Sequence, residues 1–356
     1  MTKTNVSAPQ FFSLIYLSVL SSAFMYISAP KVEIAETEAL LRPLVFTVIS
    51  IIVAIPSYFV YKKYQQGLLN EEFFNSNLTK FVYALYAVAY FIGALRVAAR
   101  FDLFASSELF PGTDMSWFMV ALVVVCAMLS TLGLGALARA GGVVFATGFV
   151  MLSLLREIDV LNFSPLFEGG VLKFFSDSLI FVIQATEIGT IILFLPEIKG
   201  NLTKHYIWWS VLSGLSFSFV LFFVIGSLGA FADTRLFPTY TAVSLAEFGL
   251  LERMDALETA IWILCVVEKL SFYILIVMKS IGHLFPKVPK KAVVSGIAVA
   301  IGGALVFISG NLEKFNFISY TPLVVGVYVT VVLLLPVLTI ISARKVSARE
   351  KNAKSN

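Results

Sequence analysis

The sequence predicts an all-α integral membrane protein of about ten transmembrane helices, arranged as a transporter-like five-plus-five inverted repeat whose helices 1 and 6 carry residues that allow them to break. Three observations lead there. Of 356 residues, 59% are hydrophobic and only 13% charged, where a soluble chain carries about 25% charged residues. With a mean hydropathy of +0.91, too little polar surface remains to clothe two or three soluble cores, so the apolar residues face lipid. Apolar runs of roughly 20 residues, the length that crosses a bilayer, recur between charge clusters and Pro/Gly breaks. A shift of about 166 residues then lays the first run over the sixth, and because five spans is an odd number the second half enters the membrane from the opposite side.

The runs can be justified in order. The first, 9–30, is preceded by Lys3 alone and exceeds the apolar core of a signal peptide, so it reads as a retained helix ending at Pro30. The second, third and fourth are 43–61, 80–100 and 116–137, the second stopping at Lys62-Lys63. The fifth, 141–160, is the weakest, opened by Gly141-Gly142 and closed early by Arg156, Glu157 and Asp159. The sixth, 174–195, ends at Pro196 as the first ends at Pro30. The seventh to tenth are 206–231, 257–280, 292–310 and 319–342, followed by a basic tail over 343–356. The chain is therefore one polytopic membrane domain, 1–356, with repeats over 9–160 and 174–342.

Basic residues are retained on the cytoplasmic side, so alternate connections set the orientation. One side receives Lys31, Arg42, Arg96, Arg100, Arg156, Lys173, Arg235, Arg253 and Lys314; apart from Lys269, all the other basic residues fall on the opposite side with the termini. Both termini are thus expected in the cytoplasm. The acids gather on the outer side, most densely in the 231–258 connection.

Three ionisable residues remain at mid-membrane: Glu187 in the sixth run, and Glu268 and Lys269 in the eighth. Each costs roughly 2.5–3.5 kcal/mol on insertion scales and so needs a partner, a wet cavity or a task. Adjacent residues on a helix point about 100° apart, so Glu268 and Lys269 cannot form an ideal pair with one another. Lys269 shares a stripe with Trp262, Cys265 and Tyr273 that suits a cavity wall. A Glu187–Lys269 pair locking spans six and eight is one reading. A coupling acid at Glu187 and a fixed cation at Lys269 is the other. Arg96 and Lys279 lie near span ends and are expected to snorkel. Tyr83, Tyr86 and Tyr90 share a face of the third span; interfacial anchoring accounts for the first two, and Tyr90 alone reads as deep enough for a pocket.

The two half-opening spans also carry small or polar residues at mid-depth: Ser18, Ser21 and Ser22 in one, and Thr186, Glu187, Gly189 and Thr190 in the other. Such positions let a helix break and offer backbone groups to a zwitterion, although small residues also serve close helix packing. Catalytic chemistry has little support, since there is no Walker loop, His-Glu-x-x-His or Gly-x-Ser-x-Gly. With two His, and Cys126 and Cys265 far apart, no metal site or disulfide framework is expected. No cofactor and no nucleic-acid partner are expected either; membrane lipid is the surrounding medium.

Leu236-Phe237-Pro238-Thr239-Tyr240, Glu252-Arg253-Met254-Asp255, Trp262 and Glu268-Lys269-x3-Tyr273 resemble the second half of the spore germination permeases, the B subunits of endospore germinant receptors. Glu108 to Thr113, Gly133 to Arg139 and Asn162 to Leu166 are similar to loops and span ends of the first half. The resemblance covers nearly the whole chain. It implies the broken-helix fold of the amino-acid/polyamine/organocation transporter superfamily, with spans one, three, six and eight around a small-molecule germinant, commonly an amino acid. It also implies an A subunit and a lipoprotein C subunit as partners in the spore's inner membrane. Carried over by position, Glu187 and Lys269 are the polar residues of spans six and eight; at the presumed break of span one this chain has Ser18, Ser21 and Ser22 in place of glycines. The expected ligand-binding set is therefore Ser18, Ser21, Ser22, Tyr90, Thr186, Glu187, Gly189, Trp262, Glu268, Lys269 and Tyr273. The leading function is a sensory subunit of a germinant receptor. An amino-acid secondary transporter, a scaffold for the other subunits and an aqueous pore are the alternatives.

Overall fold

The computed structural model describes residues 6–24, 35–64, 76–140, 158–163, 167, 170–184, 186–245, 254–309, 311–335 and 337–338. Helix dominates. Counting the 3₁₀ and π turns that continue them, five helices among the described residues are long and apolar enough to cross a membrane: Thr79–Leu109, Leu202–Thr234, Asp255–Leu284, Lys290–Ile308 and Leu312–Val332. Two shorter apolar helices are Ala8–Phe24 and Ser116–Ser130. Of the fifth expected run, 141–157 lies outside the described residues.

The first helix, α1 (Ala8–Phe24), follows a two-residue strand β1 (Val6–Ser7). Its start is fixed by a reciprocal cap, Ser7 N–H donating to Gln10 Oε1 (3.3 Å) and Gln10 N–H to Ser7 Oγ (3.5 Å). Nearly every side chain of α1 is buried, so it runs through the interior of the bundle rather than along the lipid face. It continues unbroken through Ser18, Ser21 and Ser22 to Phe24, which corrects the expectation of a break at the serines. Serine lacks the backbone freedom of glycine, and the serine hydroxyls here bond outward while the helical ladder stays intact.

Helices α2 (Arg42–Tyr64), α3 (Ser76–Phe104), α4 (Ser116–Ser130) and α5 (Leu134–Ala140) complete the described first half. The sixth run is not a continuous helix. Helix α6 (Val171–Gln184) is followed by a 3₁₀ turn at Thr186–Gly189, a short α7 (Thr190–Phe194) and a second 3₁₀ turn at Leu195–Glu197. A strand β2 (Ile198–Lys199) then pairs in parallel with β1, Val6 opposite Ile198, joining the end of this segment to the start of α1.

Helix α8 (Leu202–Leu228) begins at Asn201, whose Oδ1 accepts from Lys204 N–H at 3.1 Å. It lies so close to α2 that a Cβ on Gly214 would stand 1.9 Å from Thr47 Oγ1; only a glycine permits this approach. The short α9 (Pro238–Ser244) precedes the long α10 (Met254–Leu284), and α11 (Lys290–Ile308), α12 (Leu312–Tyr320) and α13 (Pro322–Val329) close the described chain, Pro238 and Pro322 standing where a missing N–H costs nothing. Helices α1, α3 and α4 all pack on α10, which makes α10 the axis of the core.

Candidate functional site

The interior of the bundle holds a buried ion pair at the point where the sixth run leaves α-helical geometry. Glu187, in the 3₁₀ turn, is 0% exposed and Lys269, on α10, is 4% exposed; Lys269 Nζ lies 2.8 Å from Glu187 Oε1. The same oxygen accepts from Ser18 Oγ at 2.7 Å and from Tyr273 Oη at 2.8 Å. Lys269 Nζ donates further to Ser18 O (2.8 Å) and Ser22 Oγ (2.6 Å) and stands 5.5 Å from the centre of the Tyr273 ring. Three separate parts of the chain therefore meet on one carboxylate oxygen.

The turn itself is satisfied from the side. In a membrane interior every freed backbone carbonyl needs an internal donor. Glu187 O receives Thr190 Oγ1 at 2.7 Å, and Gly189 O receives Tyr86 Oη at 2.7 Å. Lys279 Nζ reaches Leu193 O at 3.1 Å and pairs with Glu197, so a second lysine of α10 holds the far end of the same segment. Gly189 is required by close approach, since a Cβ there would lie 2.9 Å from Val331 Cγ1 and 3.0 Å from Tyr90 Oη.

These observations sort the expected residues. Ser18, Ser22, Glu187, Lys269 and Tyr273 form one hydrogen-bonded knot. Gly189 lies beside it with Tyr90, which is fully buried and packs edge-on to Tyr273 at 5.3 Å. Thr186 falls in the 3₁₀ turn next to Glu187. Ser21 is buried on α1 and makes none of the hydrogen bonds to the pair among the described residues. Glu268 is buried, and neither of its carboxylate oxygens has a partner among the described residues, so it does not join the knot. Trp262 is also apart: it packs edge-on to Phe104 (4.1 Å) and Phe101 (5.2 Å), two helical turns from Lys269. The stripe of Trp262, Cys265, Lys269 and Tyr273 is thus divided, with Cys265 wholly in the core.

Three expectations need correction. Tyr86 is not an interfacial anchor; it is fully buried and holds the Gly189 carbonyl, a role its i, i+4 spacing to Tyr90 could have signalled. Arg96 does not snorkel, because at 8% exposure its guanidinium sits over the Tyr328 ring, 5.3 Å from the centroid. Glu258, counted with the outer acids although it also falls at the start of the eighth run, lies a full turn inside α10, which starts at Met254, and is 5% exposed.

A charged knot at an interrupted helix, inside a bundle of helices long enough to span a bilayer, defines a multi-pass membrane protein of the transporter-like kind. Residues 5–318 match the family model described as spore germination protein, and the chain belongs to that family. No curated protein matches it.

Proposed function

We propose that this chain is the membrane subunit of a spore germinant receptor, and that a small germinant, an amino acid, acts at the Glu187–Lys269 pair. The observation that supports this most is the pair itself: one carboxylate and one ammonium, buried and opposed, at the 3₁₀ interruption of the sixth run over Thr186–Gly189. A zwitterion carries the same two charges. Its ammonium can take the place of Lys269 on Glu187, and its carboxylate the place of Glu187 on Lys269, so binding exchanges an internal pair for two ligand contacts. That exchange loosens α10 from the 3₁₀ turn at Glu187, while Lys279 keeps its hold on Leu193 O and Glu197 at the far end of the segment. It shifts the bundle only if the ligand favours the separated state over the closed one.

In this reading the ten spans form the inverted repeat, both termini are cytoplasmic, and the protein resides in the spore's inner membrane with an A subunit and a lipoprotein C subunit. The test is binding of an amino-acid panel to the purified chain, together with germinant-triggered ion release from spores carrying Glu187→Gln or Lys269→Ala at normal abundance. An unchanged dose-response in both variants would sink the assignment. The interruption at Glu187 also fits a secondary transporter. Saturable counterflow of a labelled amino acid into vesicles holding the chain alone would favour that second reading.

A further inference from the structure

Two to three turns before Lys269, α10 borders a crevice that the knot does not use. Its walls include the rings of Phe104, Phe237, Tyr240 and Trp262, and its polar members are Glu258 and Thr259. The rings pack edge to face around Phe104, with Phe237 at 5.2 Å, Tyr240 at 5.1 Å and Trp262 at 4.1 Å. As it stands the space between these side chains is too narrow for a water molecule.

The crevice leaves chemistry undone. Glu258 Oε2, Thr259 Oγ1 and Trp262 Nε1 are all buried and have no hydrogen-bond partner among the described residues. Each such atom carries a desolvation cost that a ligand can repay. Asp255, three residues before Glu258, lies on the same helical face and is within 3.5 Å of the Tyr240 hydroxyl, so a second carboxylate adds to the local negative potential. Among the described residues, no lysine, arginine or histidine lines the crevice. Aromatic faces attract cations and carboxylates accept N–H, so the combination selects positive charge with donors. A bare divalent metal wants six or more oxygens, and the crevice offers too few. Tyr240 is the half-buried ring of the set and sits on the seven-residue α9, which makes it the natural door.

We propose that this crevice is the closed form of a site for a small organic ammonium ion, held by Glu258 and the surrounding rings and admitted by displacement of Tyr240. The site is separate from the Glu187–Lys269 pair and does not depend on what that pair binds.

The test uses the full chain in lipid nanodiscs, titrated with n-propylammonium chloride, and with 1-propanol and sodium chloride as neutral and ionic controls. Tryptophan fluorescence and unfolding temperature are the readouts. Propylammonium should give a saturable fluorescence change and raise the unfolding temperature, and propanol at equal concentration should do neither. Glu258→Gln should weaken the apparent affinity about tenfold or more. Trp262→Phe should remove most of the fluorescence change while leaving the thermal shift, and Thr259→Ala supplies a second, milder loss should Glu258→Gln fail to fold. Glu187→Gln should leave the titration unchanged. Equal responses to propanol, or a propylammonium response that survives Glu258→Gln in a folded protein, would overturn the proposal. So would a response abolished by Glu187→Gln, which would move the ammonium to the central pair.

Discussion

The Glu187 knot and the Glu258 crevice both set a buried carboxylate against α10, and they treat it in opposite ways. Glu187 Oε1 is met by an ammonium and two hydroxyls within 2.8 Å. Glu258 Oε2 is met by none among the described residues and faces aromatic rings. The first arrangement is self-sufficient and binds three chain segments together. The second sets a carboxylate oxygen among aromatic rings with no cation of the chain beside it among the described residues. A buried charge that brings its own partner works as a lock, whereas one without a partner leaves a vacancy in the hydrogen bonding. The difference arises from position on one helix: Lys269 projects beside α1 and the 3₁₀ turn, and no basic residue of α10 reaches the crevice.

Removing the lysine should break the lock most severely. Lys269→Met leaves Glu187 buried without its cation, and truncating one partner of a buried pair costs about 3–5 kcal/mol. A large fall in the unfolding temperature of the purified protein in detergent is expected. The double variant Glu187→Gln/Lys269→Met should recover much of the loss, since both charges are then gone. A single variant as stable as the parent would show that the pair contributes nothing to holding the segments together.

Next in size comes a packing change remote from both carboxylates, which sets the scale for mere crowding. In Gly214→Ala the new methyl would lie 1.9 Å from Thr47 Oγ1 and 3.0 Å from Pro43 O, so α2 and α8 must move apart. Overpacking of this kind costs roughly 1–3 kcal/mol, read as a lower unfolding temperature with propylammonium affinity unchanged. Tyr86→Phe should be smaller still, about 1–2 kcal/mol, because it orphans the Gly189 carbonyl without touching a charge. If Tyr86→Phe cost as much as Lys269→Met, the turn's backbone and not its ion pair would be the lock.

Much of this was legible in the sequence because charge in an apolar run is costly wherever it sits. Glu187 and Lys269 stand out on composition alone, and their pairing was one of two readings the helical geometry allowed. The interruption near Gly189 was signalled by small and polar residues at mid-depth. What remained hidden depends on contacts between distant segments. Tyr86 looks like an anchor until α3 is seen to bring its hydroxyl to the Gly189 carbonyl. Arg42 looks like a loop cation, yet it is fully buried between Glu36 (2.6 Å) and Asp177 (3.3 Å). Glu258 reads as one more acid at the outer edge of the eighth run because periodicity places helix starts only to within a few residues; with α10 starting at Met254 it lies a turn inside the helix and is buried. Ser18 and Ser22 were singled out for backbone breakage, and they serve through their hydroxyls and one carbonyl instead.

The smallest effect discriminates best between the two regions. Glu258→Gln replaces a buried carboxylate, whose Oε2 has no hydrogen-bond partner among the described residues, by a neutral group of the same shape, so the cost of burying a charge is relieved and little bonding is lost. Its unfolding temperature should equal or slightly exceed that of the parent, a change of about 1 kcal/mol or less. Glu187→Gln makes the same chemical change at a carboxylate oxygen with three donors, and leaves the buried Lys269 ammonium without its counter-charge; it should lower the unfolding temperature. One substitution at two sites should therefore act with opposite sign. If Glu258→Gln destabilises as much as Glu187→Gln, then Glu258 already has a cation in the folded protein, and the contrast between a self-sufficient lock and a site awaiting its ligand fails at that residue.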